Sequence, residues 1–70
     1  MFITLEYNHR LGSFMSWQFD EFSDMRLHIV DHIKDFLLND AYNVFFEPNF
    51  NRVQVWDDES KVFEFKWYNF

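Results

Sequence analysis

The sequence predicts a single α+β domain in which one helix packs on one face of a twisted antiparallel sheet, in the order ββαβββ. Three observations support this fold class. Apolar residues alternate with period two in five short segments, as they do in strands. Between the second and third segments the apolar spacing changes to three and four residues, which is typical of an amphipathic helix. The only glycine and the only proline fall between periodic segments, where turns occur.

The first two strands are predicted at residues 2–7, FITLEY, and 13–19, SFMSWQF. Both segments alternate, and the turn-like stretch NHRLG around Gly12 separates them. Together they indicate a hairpin.

The helix is predicted over residues 22–38. Either Asp20 or Ser23 is expected to cap its start, because a short side-chain oxygen accepts a hydrogen bond from a free backbone amide. The apolar stripe that defines the helix consists of Phe22, Met25, Ile29, Ile33 and Phe36, flanked by Val30 and Leu37.

Three further strands are predicted at residues 42–47, 52–56 and 61–70. PNFN and DDES form the turns between them. Connections this short favour antiparallel pairing of successive strands.

One helix is too narrow to cover such a sheet. A helix is about 10–12 Å across, whereas five strands spaced about 4.8 Å apart span about 19 Å. Alternation then assigns side chains to two faces. The helix-facing set is predicted to be Ile3, Leu5, Tyr7, Met15, Trp17, Phe19, Val44, Phe46, Val53, Val55, Phe63, Phe65 and Trp67. The opposite set is predicted to be Phe2, Phe14, Phe45, Trp56, Val62, Tyr68 and Phe70 among polar neighbours.

The second face is therefore unusually aromatic for a small domain. Monomers rarely expose contiguous apolar patches larger than a few hundred Å². We expect this face to contact another protein, and the predicted partner-binding aromatic residues are Phe14, Phe45, Trp56, Tyr68 and Phe70. The alternative is that these residues are scattered at strand ends, since isolated exposed apolar side chains are normal.

The composition narrows the function classes. Seventy residues with no cysteine exclude disulfides and thiolate metal sites. A formal net charge of −6 argues against direct nucleic-acid binding and against anionic membranes. The negative charge favours a partner with a basic surface; the alternative is that it only keeps the protein soluble. Two groups of acidic residues are candidates for binding such a partner, where they would mimic the phosphates of a nucleic acid. The alternative is that they are only solvated surface charges. The groups are Asp24, Asp31 and Asp35 on the helix, and Asp57, Asp58 and Glu59 in a turn.

The most motif-like segment is HIVDH, in which His28 and His32 share a helix face. No third ligand is evident from the sequence, so we expect two solvated histidines and no functional metal. The phosphate-loop, dinucleotide and nucleophile-elbow glycine patterns are absent. The sequence therefore predicts no enzyme, no cofactor and no catalytic residue.

The functional expectation is a small non-enzymatic protein-binding module that inhibits a larger, nucleic-acid-processing protein. Short, acidic, aromatic-rich chains without cysteine resemble the inhibitors that phages deploy against host transcription or defence systems, including anti-CRISPR proteins. The resemblance lies in composition alone. Because the first residues lack the pattern of a signal peptide and no stretch approaches the roughly 20 apolar residues that span a bilayer, we expect a cytoplasmic location, in the host cytoplasm if the protein is viral. The alternative is a structural homo-oligomer, such as a homodimer, that pairs through its aromatic sheet face.

Overall fold

The computed structural model describes residues 1–70 and has the predicted element order. Every predicted element is present, and each predicted boundary lies within one residue of the observed one. A short 3₁₀ turn, Pro48–Phe50, joins the third and fourth strands. The elements are β1 (Phe2–Asn8), β2 (Ser13–Phe19), α1 (Phe22–Leu37), β3 (Asn43–Glu47), β4 (Arg52–Trp56) and β5 (Lys61–Asn69).

The five strands form one antiparallel sheet in the spatial order β2-β1-β5-β4-β3. Two of the tight turns use residues with positive φ, namely Gly12 in the first hairpin and Asn51 after the 3₁₀ turn. Helix α1 connects β2 to β3, and these two strands are the opposite edges of the sheet. The helix must therefore cross the sheet, which confirms the two-layer α+β architecture.

The core lies between α1 and the middle of the sheet. Met25, Ile29 and Ile33 are the buried residues of the helix. They pack with Val53, Val55, Val62 and Phe65 from β4 and β5. Only nine of 70 residues are buried, so the domain has little apolar contact in reserve.

The predicted orientation of β1 is wrong. Thr4 and Glu6 are buried, at 0% and 8% exposure, and they pair directly with Trp67 and Phe65 of β5. Because directly paired residues point to the same side of a sheet, Thr4 and Glu6 face the helix along with Phe65. Ile3, Leu5 and Tyr7 therefore point away from it.

Phe2 was assigned to the wrong face for the same reason. Its ring packs edge-on against Phe22 of α1, with ring centroids 5.6 Å apart. Alternation fixes which residues of a strand share a face, but the pairing with β5 decides which face the helix covers.

Two smaller expectations are also wrong. Val62 belongs to the core, because a bulge places it between the pairs Val55–Phe63 and Trp56–Lys61. The helix begins after Glu21, which makes no side-chain capping hydrogen bond, so neither Asp20 nor Ser23 caps it. No helix in the structure has the length and apolarity that a bilayer crossing requires.

Candidate functional site

The open face, meaning the sheet face that points away from α1, carries an apolar strip built on β1. Ile3, Leu5 and Tyr7 run along the strand and are half-buried or exposed. Phe14 of β2 pairs directly with Tyr7, and Tyr68 of β5 pairs directly with Ile3. We call this set, together with Phe70, the apolar strip.

The most exposed members of the apolar strip are aromatic. Phe14 is 59% exposed, Tyr68 is 44% exposed and Phe70 is 75% exposed. The rings of Tyr68 and Phe70 lie 6.5 Å apart between centroids. The structure thus brings three of the five predicted partner-binding aromatic residues together with three β1 residues that sequence reasoning had placed in the core.

The other half of the open face is polar. Arg52 of β4 forms an ion pair of 2.8 Å with Glu47, and Lys61 forms one of 2.8 Å with Glu64. The pKa of Glu47 is lowered chiefly by its hydrogen bond from Arg52. Gln54 also donates to Glu47. Lys66, which lies on the same face beside Leu5 and Arg52, is in no ion pair, so this region carries no excess of negative charge and does not account for the acidity of the chain.

Phe45 and Trp56 lie at the far end of this polar half, apart from the apolar strip. Phe45 is 51% exposed, whereas Trp56 is half-buried. The Trp56 indole donates a hydrogen bond of 2.8 Å to Gln54 Oε1, and the Lys61 ammonium lies 5.8 Å from its ring centroid. The five predicted aromatic residues therefore share one face without forming one continuous patch.

The predicted acidic residues of the helix are all exposed. Asp24, Asp31 and Asp35 follow one another at helical spacing on α1. Asp31 forms an exposed ion pair of 2.9 Å with Lys34, and the hydrogen bond from Lys34 lowers its pKa. This stripe belongs to the helix layer, so the sheet separates it from the apolar strip.

The acidic turn after Trp56 has a structural use as well as a charge. Asp57 accepts hydrogen bonds from the backbone amides of Glu59 and Ser60, each 2.8 Å, and forms a 3.0 Å ion pair with Arg10. The two backbone hydrogen bonds, followed by Arg10, lower its pKa to about 2. Asp58 and Glu59 are exposed, so they are the acidic groups of this turn that remain available to a partner.

A third group of polar residues lies between the helix and β1. One ligand atom from each of Glu6, His28 and His32 lies within 4.8 Å of the other two. His28 is half-buried, and its pKa is lowered first by burial and then by the neighbouring His32. The expectation of two solvated histidines is wrong for His28, which is half-buried. The third candidate ligand, Glu6, is not evident from the sequence and is brought near the histidines by the fold.

The indole of Trp17 covers this cluster from β2. Its ring centroid lies 4.6 Å from that of His28, and its Nε1–H donates a 3.4 Å hydrogen bond to Glu6 Oε2. His32 Nδ1 lies 2.8 Å from the backbone oxygen of His28. A carbonyl oxygen only accepts, so Nδ1 carries the proton in this contact, and the lone pair of the neutral ring is on Nε2.

Comparison with known proteins identifies no relative: no protein-family model, no curated protein and no solved structure matches the chain. The functional conclusions below therefore rest on the geometry of the chain itself.

Proposed function

We propose that the chain is a non-enzymatic protein-binding module that docks another protein through the apolar strip of the open face. The observation that carries this proposal is the orientation of β1. Its apolar side, Ile3, Leu5 and Tyr7, points away from the helix, while its polar side, Thr4 and Glu6, is buried beneath it. Natural sequences break the apolar-inward rule chiefly at functional sites.

The composition of the apolar strip suits a protein partner. Aromatic side chains such as Phe14, Tyr68 and Phe70 provide large contact areas, and exposed aromatic anchors of this kind often contribute about 2 kcal/mol or more each to an interface. The half-buried aliphatic residues Ile3 and Leu5 of β1 lie between Phe14 of β2 and Tyr68 of β5, which are held by the strand pairing. A rigid strip loses little conformational entropy on binding.

The charge of the chain favours a basic partner over a second copy. The apolar strip itself is uncharged, and beside it lie two ion pairs and Lys66, which has no acidic partner. The excess negative charge therefore lies outside the open face, on α1 at Asp24, Asp31 and Asp35 and at one end of the sheet at Asp58 and Glu59. Two copies with a net charge of −6 each would repel one another, whereas a partner whose apolar surface is bordered by Lys and Arg would be attracted.

Within this proposal the partner is a nucleic-acid-processing protein, because such proteins carry basic surfaces around their binding sites. The module would inhibit it by occupying that surface, with the exposed carboxylates of Asp58 and Glu59 at the end of the sheet as further contacts for Lys and Arg. This is the mode of action expected of a phage-type inhibitor, anti-CRISPR proteins included, acting in the cytoplasm. Homodimerisation through the same strip is the competing outcome.

The test compares matched surface variants. Phe14→Ser and Tyr68→Ser remove members of the apolar strip, and Leu27→Ser and Leu38→Ser remove apolar residues on the helix side of the domain that are 68% and 86% exposed. Each variant is used to capture proteins from an extract of the native host, followed by quantitative mass spectrometry. Light scattering on each pure variant measures self-association.

The proposal predicts that the pure chain is a monomer in light scattering. It also predicts that wild type and both control variants capture the same basic protein, and that both strip variants fail to capture it. If the wild type is a stable dimer and only the strip variants are monomers, the open face binds a second copy of this chain and not a foreign protein. If all four variants are monomers and capture the same proteins, the open face does not bind the partner and the proposal is wrong.

A further inference from the structure

We propose that Glu6, His28 and His32 form a binding site for a divalent transition-metal ion of the zinc class. The site lies on the helix-facing side of the sheet and does not depend on the protein-binding role of the open face. It joins β1 to α1, whereas the buried apolar core joins α1 to β4 and β5.

The residue types and their spacing match what zinc requires. Two imidazoles and one carboxylate are common zinc ligands, and histidines four residues apart on a helix point to the same side. Zinc–ligand bonds of about 2.0–2.2 Å in tetrahedral geometry place ligand atoms about 3.4 Å apart. The ligand atoms here lie within 4.8 Å of one another, so closure needs movements of at most about 1.4 Å.

The environment of each candidate ligand supports a bound cation. Glu6 is a buried carboxylate, and none of the ion pairs in the protein involves it. His28 Nε2 is shielded from solvent and has no hydrogen-bond partner within the protein. Buried carboxylates and imidazole nitrogens are normally paired or bound to metal, because an unpaired one loses its hydration without compensation.

The residues around the cluster hold the ligands in place. The hydrogen bond from His32 Nδ1 to the His28 carbonyl is the kind of outer contact that fixes a metal-binding imidazole, since it leaves Nε2 free to bind. Trp17 similarly restrains Glu6 through its indole N–H. Asp31, next to His32 on α1, adds negative charge that favours a cation.

A direct ion pair between the cluster members does not explain the arrangement. No oxygen of Glu6 lies within the 4.0 Å of a histidine nitrogen that would define an ion pair, although the three side chains converge. A metal ion between them would satisfy all three at once. His32 is exposed, so the ion would have a route of entry and a fourth coordination position open to solvent.

The test is calorimetric titration of the chelator-treated protein with Zn²⁺, together with visible absorption on titration with Co²⁺. His32→Ala and Glu6→Gln are the test variants, and circular dichroism confirms that each is folded. His9→Ala is the matched control, because His9 is the one histidine outside the cluster; its ring packs on Tyr7 instead. The melting temperature of each protein is measured with and without Zn²⁺.

The wild-type chain should bind one Zn²⁺. The Zn²⁺ affinity of His9→Ala should equal that of the wild type, and the affinity of both test variants should be at least about tenfold weaker. Losing a residue that only supports a ligand already costs about 10–100-fold, so losing a ligand should cost at least as much. Zn²⁺ should raise the melting temperature of the wild type and of His9→Ala only. In wild type, ¹⁵N shifts of the His28 and His32 rings should move while those of His9 stay fixed, which holds even if a variant fails to fold. Absence of a stoichiometric site in wild type, or ring shifts confined to His9, would overturn the proposal.

Discussion

Replacing Thr4 by valine should stabilise the domain, whereas replacing its neighbour Leu5 by threonine should cost little. The two residues are adjacent on β1 and face opposite sides of the sheet. Thr4 is fully buried beneath the helix, and its Oγ1 has no hydrogen-bond partner within the protein. Leu5 is half-buried on the open face. The sequence alone predicts the reverse arrangement, so this pair distinguishes the two orientations of β1.

The magnitudes follow from burial. An unpaired buried hydroxyl costs about 1–3 kcal/mol, and valine replaces it by a methyl group of similar size that gains about 0.8 kcal/mol on burial. Thr4→Val should therefore raise the free energy of unfolding by about 1–3 kcal/mol. A fully buried leucine loses about 2–5 kcal/mol on truncation, so half-buried Leu5 should lose about 1 kcal/mol on becoming threonine, which itself suits a strand.

Urea denaturation followed by tryptophan fluorescence measures both values, and thermal melting provides a second readout. In a domain of this size about 1 kcal/mol shifts the melting temperature by about 4–8 °C. Thr4→Val should melt at least about 4 °C above wild type. The reasoning is refuted if Thr4→Val is destabilising while Leu5→Thr loses more than about 2 kcal/mol, because β1 would then have its apolar side in the core.

Three further predictions concern the core, the acidic turn and the acidic helix. Phe65→Ala should lower the free energy of unfolding by about 3–5 kcal/mol, because Phe65 is 0% exposed at the centre of a small core, and urea denaturation should show little folded protein left. Asp57→Ala should destabilise the turn more than Asp57→Asn, whose amide oxygen still accepts the backbone hydrogen bonds. Folding lowers the Asp57 pKa from 3.8 to about 2, so the stabilisation from its charge is complete above about pH 4 and should disappear as the pH falls towards 2. Melting temperatures of wild type and Asp57→Asn measured across this pH range test this, because only the wild type should lose stability from this group. Reversing both Asp31 and Asp35 to Lys changes the net charge from −6 to −2 (−6 + 4). Association with a basic partner should become slower and less dependent on salt, while the melting temperature stays within a few degrees of wild type. Equal association rates for wild type and variant would show that this helix face does not attract the partner.

The order and limits of the elements could be predicted because they depend on local signals. Alternation, the change of period at Phe22, and the turn residues Gly12 and Pro48 act within a few positions of one another. The predicted face of Phe14 and Tyr68 is correct as well, but alternation alone does not decide which face the helix covers, as the wrong orientation of β1 shows. These signals do not depend on which strands become neighbours.

The functional sites could be predicted only in part because they depend on long-range pairing. Nothing near Glu6 in the sequence indicates that β1 pairs with β5 and so turns this carboxylate towards His28 and His32. The available signal was indirect: an acidic residue on a strand and two histidines on the predicted helix were each left without a role. The bulge that buries Val62 is likewise a consequence of pairing between β4 and β5.

The proposed docking of another protein on the open face is tested most directly by hydroxyl-radical footprinting of the complex recovered in the capture experiment. Oxidation of Tyr7, Phe14 and Tyr68, which are 38%, 59% and 44% exposed in the free chain, is compared between the free and the bound states by mass spectrometry. Docking through the apolar strip predicts that all three become protected while Leu27 and Leu38, on the helix side, remain as reactive as before. Unchanged oxidation of these three residues, with protection elsewhere on the chain, would contradict it.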